Sequence, residues 1–504
     1  MQTSRFLSVI LAVALIASLA FTLNLNAADR PNILLFTADD LYAESLGVYG
    51  GKPADLTPNL DAFAAESLLF NRAHVNVPIC APCRAVIATG RYSHRSGAMG
   101  FMPAREDVPD IVTTLKAGGY HTGILGKYGH STPKKSMKWD YHFDQKELGN
   151  GRSPKLYKQR SEVFFKQSKE AGKPFYLMVN SHDPHRPYCN PEKLTRGAEM
   201  PSRTYKPSEV DVPGFLPDLP GVRAELATYL NSTRRLDDTF GATMQALKDA
   251  GVADNTLVLF ITDNGIAVPF AKCNTWFHSS HSPLLVRWPD VVKPGTRDDT
   301  HFVSVVDFFP TFLEATEVKG PDGLDGRSFL PLLKGQNQKG RSHVFTAIDS
   351  KAGGEYVPMR AVQNANYGYI YNPFSDGTYW YRNNNEGKTM AAMNIAAKND
   401  PAIAARIDLF RHRVPEEFYD LENDPNCLNN LIEDPKHTDT LKALQARLVA
   451  QMKKTQDPML PAFQNRNDRA KVDEIMVETY GPRKAKKPRK GRQNKSRKNA
   501  NKDK

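Results

Sequence analysis

Four short apolar runs, far apart in the chain, each stop at a cluster of charged or polar residues. "NILLFTADD" ends at Asp39 and Asp40, "HTGILGKYGH" near Lys127 and His130, "PFYLMVNSHDPH" at His182 and His185, and "NTLVLFITDNG" at Asp263 and Asn264. Runs of this length, rich in β-branched and aromatic residues, suit buried strands of a mostly parallel sheet. Helical patterns lie between them, such as "LTPNLDAFAAESLLF" and "VRAELATYLNSTRRLDDTFGATMQALKDAG", the second stopping at Gly251. Strands alternating with helices predict an open α/β fold, a mostly parallel sheet flanked by helices. In such sheets ligands bind beyond the carboxyl ends of the strands. One strand ending in a charge means nothing. Four ending in complementary charges are better explained by one converging site.

After about residue 340 the texture changes. "YGYIYNPF" and "TYWYR" read as antiparallel strands, and "EEFYDLENDPNCLNNL" as a strand and turn leading to a helix over Lys436–Lys453. The expected division is therefore a catalytic domain over 29–340 and a smaller C-terminal α+β domain over 341–480, with no internal repeat.

The two ends read differently from the middle. Arg5, the apolar "FLSVILAVALIASLAF" and the small residues of "NAA" make 1–28 an export signal with a cleavage point near Ala28. An uncleaved anchor is the alternative, because the apolar run approaches spanning length. The chain carries 67 Lys and Arg against 55 Asp and Glu, a net +12. Twelve of those bases, and one Asp, lie in Arg483–Lys504, which leaves 55 against 54 elsewhere. The folded part is thus nearly neutral. The tail over 481–504 has no aliphatic or aromatic residue beyond alanine and cannot bury a core. A solvated tail is the plain reading and a polyanion tether the alternative; no specific nucleic-acid partner is expected.

Five cysteines (Cys80, Cys83, Cys189, Cys273, Cys427) are too few and odd in number for a disulfide scaffold. Two of them stand in "NVPICAPCRAVIATGR". A Cys-x-x-Cys at a helix start is the arrangement of a redox pair, yet nothing nearby calls for electrons. A structural zinc site wants a second Cys or His pair, and the other three cysteines stand alone. Pro82 suits the first turn of a helix, which puts Cys80 at its N-terminus, where an anion is favoured. Arg84, four residues on, shares its face and can reach back to the same group.

Cys80-Ala81-Pro82-Cys83-Arg84, continuing through "AVIATGR", resembles the sulfatase signature Cys-x-Pro-x-Arg…Thr-Gly-Arg, with Cys83 where many members carry serine. The resemblance extends to "RPNILLFTADDL", "GILGK", "HDPHRP", "TDNG" and "EEFYDLENDPNCLNNL", spanning Pro31 to about Leu431. Within the family, "VPGFLPDLPGVRAELATYLNSTRRLDDTFG", "DNGIAVPFAK" and "HDPHR" are most similar to the heparan N-sulfatase (sulfamidase) branch. The alkaline-phosphatase-like α/β fold is implied with it.

The resemblance implies that Cys80 is oxidised to formylglycine by a formylglycine-generating enzyme. The hydrated aldehyde then attacks sulfur and later expels sulfate, a two-step covalent route. Asp39, Asp40, Asp263 and Asn264, with residue 80, are the implied metal ligands. An oxygen-rich set selects calcium, the family's usual ion, with magnesium second. Lys127 and Lys272 would neutralise charge on the sulfuryl oxygens, and His182 would contact the sulfate or protonate the leaving group. His130 stands one residue beyond the family's usual histidine position, where Gly129 is found. His185 and Arg186 are further candidates for substrate contact. A sulfated glycan is the implied substrate and a homodimer an implied assembly. Two other functions stay open: a phosphoesterase of the same fold, and a non-catalytic glycan-binding protein in which Cys80 is never modified.

Overall fold

The computed structural model describes residues 30–381 and 387–482. The expected export signal and the tail beyond residue 482 lie outside the described residues. Among the described residues no helix is long and apolar enough to cross a membrane.

Eight strands make one sheet. They are β1 (Asn32–Asp39), β2 (Leu68–Phe70), β4 (His121–Leu125), β5 (Tyr141–Phe143), β6 (Phe175–Pro184), β7 (Thr256–Thr262), β8 (Leu284–Arg287) and β9 (Thr296–Asp298), in the order β5-β4-β6-β1-β7-β8-β2-β9. A separate two-stranded pair joins β3 (Ala73–His74) to β10 (Val303–Ser304). Every neighbouring pair in the large sheet is parallel except the two made by β8.

The strand β1 is buried along its whole length, and its side chains divide between two layers. Ile33 and Leu35 pack with Val86, Ile87, Phe308 and Phe312 on one face. Leu34, Phe36 and Ala38 pack with Phe164, Leu236, Phe240 and Leu247 on the other. A sheet covered by helices on both faces needs apolar residues at every position of a central strand, which is why "NILLF" shows no alternation. Each buried Leu or Phe contributes about 2 kcal/mol. Apart from Thr37, the run stays apolar until the strand leaves the two layers at Asp39.

Because β6 and β7 run parallel to β1 on either side, their carboxyl ends arrive at the same edge. The β1–β6 register steps from Thr37 opposite Asn180 to Asp39 opposite Pro184, an irregularity that leaves Ser181, His182 and Asp183 to bulge. Such bulges re-aim side chains beside functional sites. The sequence places His182 at a strand end; the strand in fact runs on through Pro184, with His182 in its bulge.

A second sheet is antiparallel, in the order β11 (Val344–Ser350), β12 (Tyr356–Gln363), β13 (Tyr367–Tyr371) and β14 (Glu416–Asp420). The helix Thr438–Thr455 covers it, bringing Leu444, Leu448 and Met452 onto Met359, Tyr369 and Tyr371. The same cluster takes in Ile79 and Cys273, and the Ala347 N–H donates to the Asn76 carbonyl at 2.8 Å. The smaller sheet therefore packs directly behind the segment leading into Cys80. The stretch "TYWYR" is not a strand over its described part, 378–381. Asp376 Oδ1 accepts the Thr378 and Tyr379 N–H groups at 2.8 and 2.7 Å, and this turn at Asp376-Gly377 outcompetes extended pairing.

The long helix Pro220–Asp249 stops before Gly251, whose φ is +67°, as the sequence predicts. It also caps a neighbour. The Thr57 side chain caps no backbone N–H of the helix Pro58–Ala65. Instead Asp237 accepts from Leu60 N at 2.8 Å, Asn59 N at 3.1 Å and Asn59 Nδ2 at 2.7 Å. Asp237→Ala should destabilise the fold by about 2 kcal/mol, since it unpairs two helix-terminal N–H groups. Thermal unfolding checks this, with Asp237→Asn expected to lose less.

Candidate active site

The polar ends of three strands and one loop meet at the carboxyl edge of the large sheet. Asp39 ends β1, and Asp40 follows in the left-handed region, φ +68°. Asp263 and Asn264 follow β7, Lys127 follows β4, and Lys272 comes from the loop after β7. All six are buried, with the carboxyl-bearing residues and Asn264 fully so.

The helix Cys80–Thr89 starts at this edge, with Ile79 extended before it and Pro82 as its third residue. Cys80 is buried, and the charges acting on its thiol come from Lys272, Asp39, Lys127 and Asp263. Burial outweighs the lysines and pushes the thiol up to about 11. Cys83 belongs to the core cluster of Ile33, Val86 and Phe309 instead, where burial raises its thiol well above the ordinary value. All five cysteines are free thiols. The Cys-x-x-Cys pair is divided between a polar site and an apolar core, and a redox pair, which needs a lowered thiol pKa, is not what this arrangement makes.

Arg84 does not turn back on residue 80. Its Nε and Nη2 lie 2.9 and 2.7 Å from Asp263 Oδ2, and Nη1 donates to Thr37 Oγ1 at 2.7 Å and to Asn180 Oδ1. A fully buried carboxylate needs a counter-charge more than a helix terminus does, and Arg84 lies one turn inside the helix, against the sheet. Asn180 and Thr37 were not singled out from sequence. Their only signal is a polar residue inside an otherwise apolar run.

Lys127, also in the left-handed region (φ +50°), pairs with Asp39 Oδ2. Lys272 Nζ lies 2.5 Å from Asp40 Oδ1, and Asn264 Nδ2 donates to the same oxygen at 2.8 Å. Burial alone would raise the Asp39 carboxyl, but Lys127, with His185, Arg84 and Lys272 behind it, holds it well below the usual carboxylate range. Burial and then Asp39 lift Asp263 to about 7, against the pull of Arg84. Burial would lower Lys272, yet Asp40 and then Cys80 keep it firmly charged.

Three oxygens in this cluster are buried without a partner, Asp39 Oδ1, Asp40 Oδ2 and Asn264 Oδ1, while Asp39 Oδ2 has only its ion pair with Lys127. Orphaned buried acceptors are costly, and hard oxygens gathered this way fit a divalent cation. Asp39, Asp40 and His185 offer ligand atoms all within 4.8 Å of one another. Asp263 and Cys80 are not in that group; both Asp263 oxygens are engaged, Oδ2 by Arg84 and Oδ1 by the Asp40 N–H at 3.2 Å.

A cleft of about 480 Å³ opens above the cluster, lined among others by Lys127, His130, Asn150, His182, His185 and Arg186. Burial, helped by Lys127, lowers the His130 imidazole to about 4 and takes His182 well below its ordinary value. Both rings are neutral at physiological pH, and Nδ1 of each is buried without a partner. His185 Nε2 lies 3.8 Å from Asp40 Oδ2, so this residue, expected at the substrate, also faces the carboxylates. Arg235 grips Asp183 with two bonds, 2.6 and 3.0 Å. Arg152, 3.4 Å from the same carboxylate, donates to the His185 carbonyl at 2.9 Å. Two buried arginines thus hold the segment that presents both histidines.

A model of the sulfatase family matches residues 31–318, and one of the N-sulphoglucosamine sulphohydrolase C-terminal region matches 269–380. The chain belongs to the sulfatase family. Human N-sulphoglucosamine sulphohydrolase is 31% identical over 88% of this chain and 94% of its own length. An ulvan-active sulfatase of Formosa agariphila is 28% identical over 84% and 80% respectively. Among solved structures, the phosphonate monoester hydrolase of Agrobacterium radiobacter superposes with a TM-score of 0.64 at 19% identity, covering 84% of this chain and 96% of that one. That likeness shows the fold alone. The sequence match, not the fold, separates a sulfatase from a phosphoesterase here.

Gly151 was not foreseen, having no local signature. Its φ is +72°, and a Cβ there would sit 2.4 Å from His182 Nδ1. Gly172 has a similar φ of +60° but open space around it. Gly151→Ala and Gly172→Ala should share a backbone cost of about 1–2 kcal/mol. Only Gly151→Ala should also displace His182, lowering the thermal midpoint further and cutting sulfatase activity.

Proposed function

We propose that the chain is an exported sulfatase that hydrolyses sulfate esters or sulfamates of a sulfated glycan, with residue 80 as formylglycine and a calcium ion bound at the strand ends. One observation carries the reading: three buried oxygens with no partner, Asp39 Oδ1, Asp40 Oδ2 and Asn264 Oδ1, lie in the cluster whose Asp39, Asp263, Lys127 and Lys272 act on Cys80 at the start of its helix. The match to the N-sulphoglucosamine sulphohydrolase C-terminal region favours a sulfamate on a glucosamine as the first substrate to try. The sequence of 1–28, with its charged start, apolar run and small residues, supports export.

Charge matching supports the substrate class. Three carboxylates face three cations, Arg84 with Asp263, Lys127 with Asp39 and Lys272 with Asp40. Asp39, Asp40 and Asn264 would hold the cation, with residue 80 in its oxidised form, and with Asp263 once it gives up the Asp40 N–H; the ion's chemistry would be to polarise a sulfuryl oxygen as a Lewis acid. A divalent ion added to a balanced cluster gives a net positive site suited to an anionic sulfuryl group.

The thiol of Cys80, raised to about 11, is protonated at neutral pH and a poor nucleophile. Its oxidised, hydrated form would supply the oxygen nucleophile. Lys127 and Lys272 stabilise charge that grows on the sulfuryl oxygens as the bond to the glycan breaks. His182 and His130, held neutral at the cleft wall, are able to accept and return a proton, and His182 is assigned to the leaving group. Arg84 positions Asp263 and, through Thr37 and Asn180, ties it to β1 and β6.

Mass spectrometry of the tryptic peptide Ala73–Arg84, from the native host or a host with the modifying enzyme, should show an aldehyde at residue 80 and a thiol at Cys83. Cys80→Ala should abolish turnover of a sulfated glucosamine with no loss of thermal stability. A thiol at residue 80 in native, active protein, or a disulfide with Cys83, would falsify the mechanism. Calcium at about 100-fold its Kd should stabilise metal-stripped protein by about 2.7 kcal/mol. In Asp40→Ala that gain should disappear.

A further inference from the structure

Among the described residues few large apolar side chains are exposed, and one of those is a phenylalanine, Phe101, at 42%. A single exposed apolar residue needs no explanation by itself. Phe101 differs in where it stands. Its ring centroid is 5.4 Å from that of His130, at 85°, and His130 lines the cleft with Lys127 and His182.

The loop that carries Phe101 is also held still. The Ser350 N–H donates to the Met99 carbonyl at 3.0 Å, and the Arg105 N–H to the Ser96 carbonyl at 2.9 Å. A Cβ on Gly100 would meet the Ser350 side chain at 2.9 Å, so the loop is packed tightly onto the second sheet. A half-exposed aromatic ring thereby stands against His130, at the edge of a cleft whose lining is charged and polar apart from Gly129 and Pro187. Next to His130, Gly129 lines the same cleft, and a Cβ built on it would meet nothing within 4 Å. At that point the wall is bare backbone facing open space.

We propose that Phe101 and the open backbone face at Gly129 form a pyranose-binding subsite at the cleft mouth, an assignment that rests on the sulfated-glycan reading above. Sugars present an apolar face of C–H groups and a polar rim of hydroxyls. The polar groups of the cleft suit the rim and the sulfate, but among them only Pro187 offers an apolar wall. Phe101 supplies a ring for the C–H face from a loop whose backbone is already tied to the second sheet, so little backbone order is lost on binding. The absence of a side chain at Gly129 leaves room for the sugar to come down beside His130.

Binding to the Cys80→Ala protein in calcium buffer tests this without turnover, using D-glucosamine N-sulfate and inorganic sulfate as probes in calorimetry. Phe101→Ala should weaken the sugar by about tenfold while leaving sulfate unchanged, and Phe101→Tyr should restore the sugar. Gly129→Leu should weaken the sugar by filling its space. Unchanged sugar affinity in Phe101→Ala, or equal losses for sugar and sulfate, would overturn the subsite. If the Cys80→Ala protein with Phe101 intact binds sulfate but not the sugar, the glycan reading falls and the subsite with it.

Discussion

Asp39, Asp40 and Asp263 lie together in a fully buried space, and like charges so placed are tolerated only if counter-charges arrive with them. Arg84, Lys127 and Lys272 do so from three different parts of the chain. Each comes from a separate element: the helix Cys80–Thr89, the end of β4, and the loop after β7. Those elements can meet at one edge only if β4, β6, β1 and β7 run parallel, since an antiparallel neighbour would deliver its charge to the opposite edge. The parallel sheet and the balanced cluster therefore require each other.

The same constraint explains the packing around the cluster. Arg84 is wholly buried, so its remaining donors must find acceptors, and Thr37, Asn180 and the Ala38 carbonyl supply them. Asn180 in turn donates to the Leu125 and Gly126 carbonyls at 3.3 and 3.0 Å, fixing the turn that aims Lys127. A chain of buried hydrogen bonds thus links the ends of β1, β4, β6 and β7. Leaving any member unpaired costs about 1–3 kcal/mol. On the far side, the second sheet packs behind Ile79 and Cys273, so the segment entering Cys80 is clamped between two sheets.

Much of this was legible in the sequence because apolar runs and their charged ends are local features. The four strand ends, the helix beginning at Cys80 and the stop at Gly251 need only periodicity and turn chemistry. What failed was also local. The aromatic residues of "TYWYR" suit a strand, but Asp376 offered its backbone a turn instead. Helix geometry alone aimed Arg84 at residue 80, while the buried Asp263 drew it to the sheet. Gly151, Arg235 and Phe101 carry no signal, and Asn180 only that of a polar residue in an apolar run, because their importance lies in partners 31 to 96 residues away or on a facing loop.

The amino-acid sequence by itself determined the layers, the edge at which the site forms and the chemical types gathered there. Each of those follows from which residues must leave water and which must stay at a strand end. Only the tertiary structure decided which carboxylate pairs with which cation, which oxygens remain unpartnered, and that Cys80 faces the site while Cys83 faces the core. Those outcomes depend on distances of a few ångström between segments remote in sequence. Coulomb energy and desolvation change steeply over that range, and no spacing along the chain encodes it.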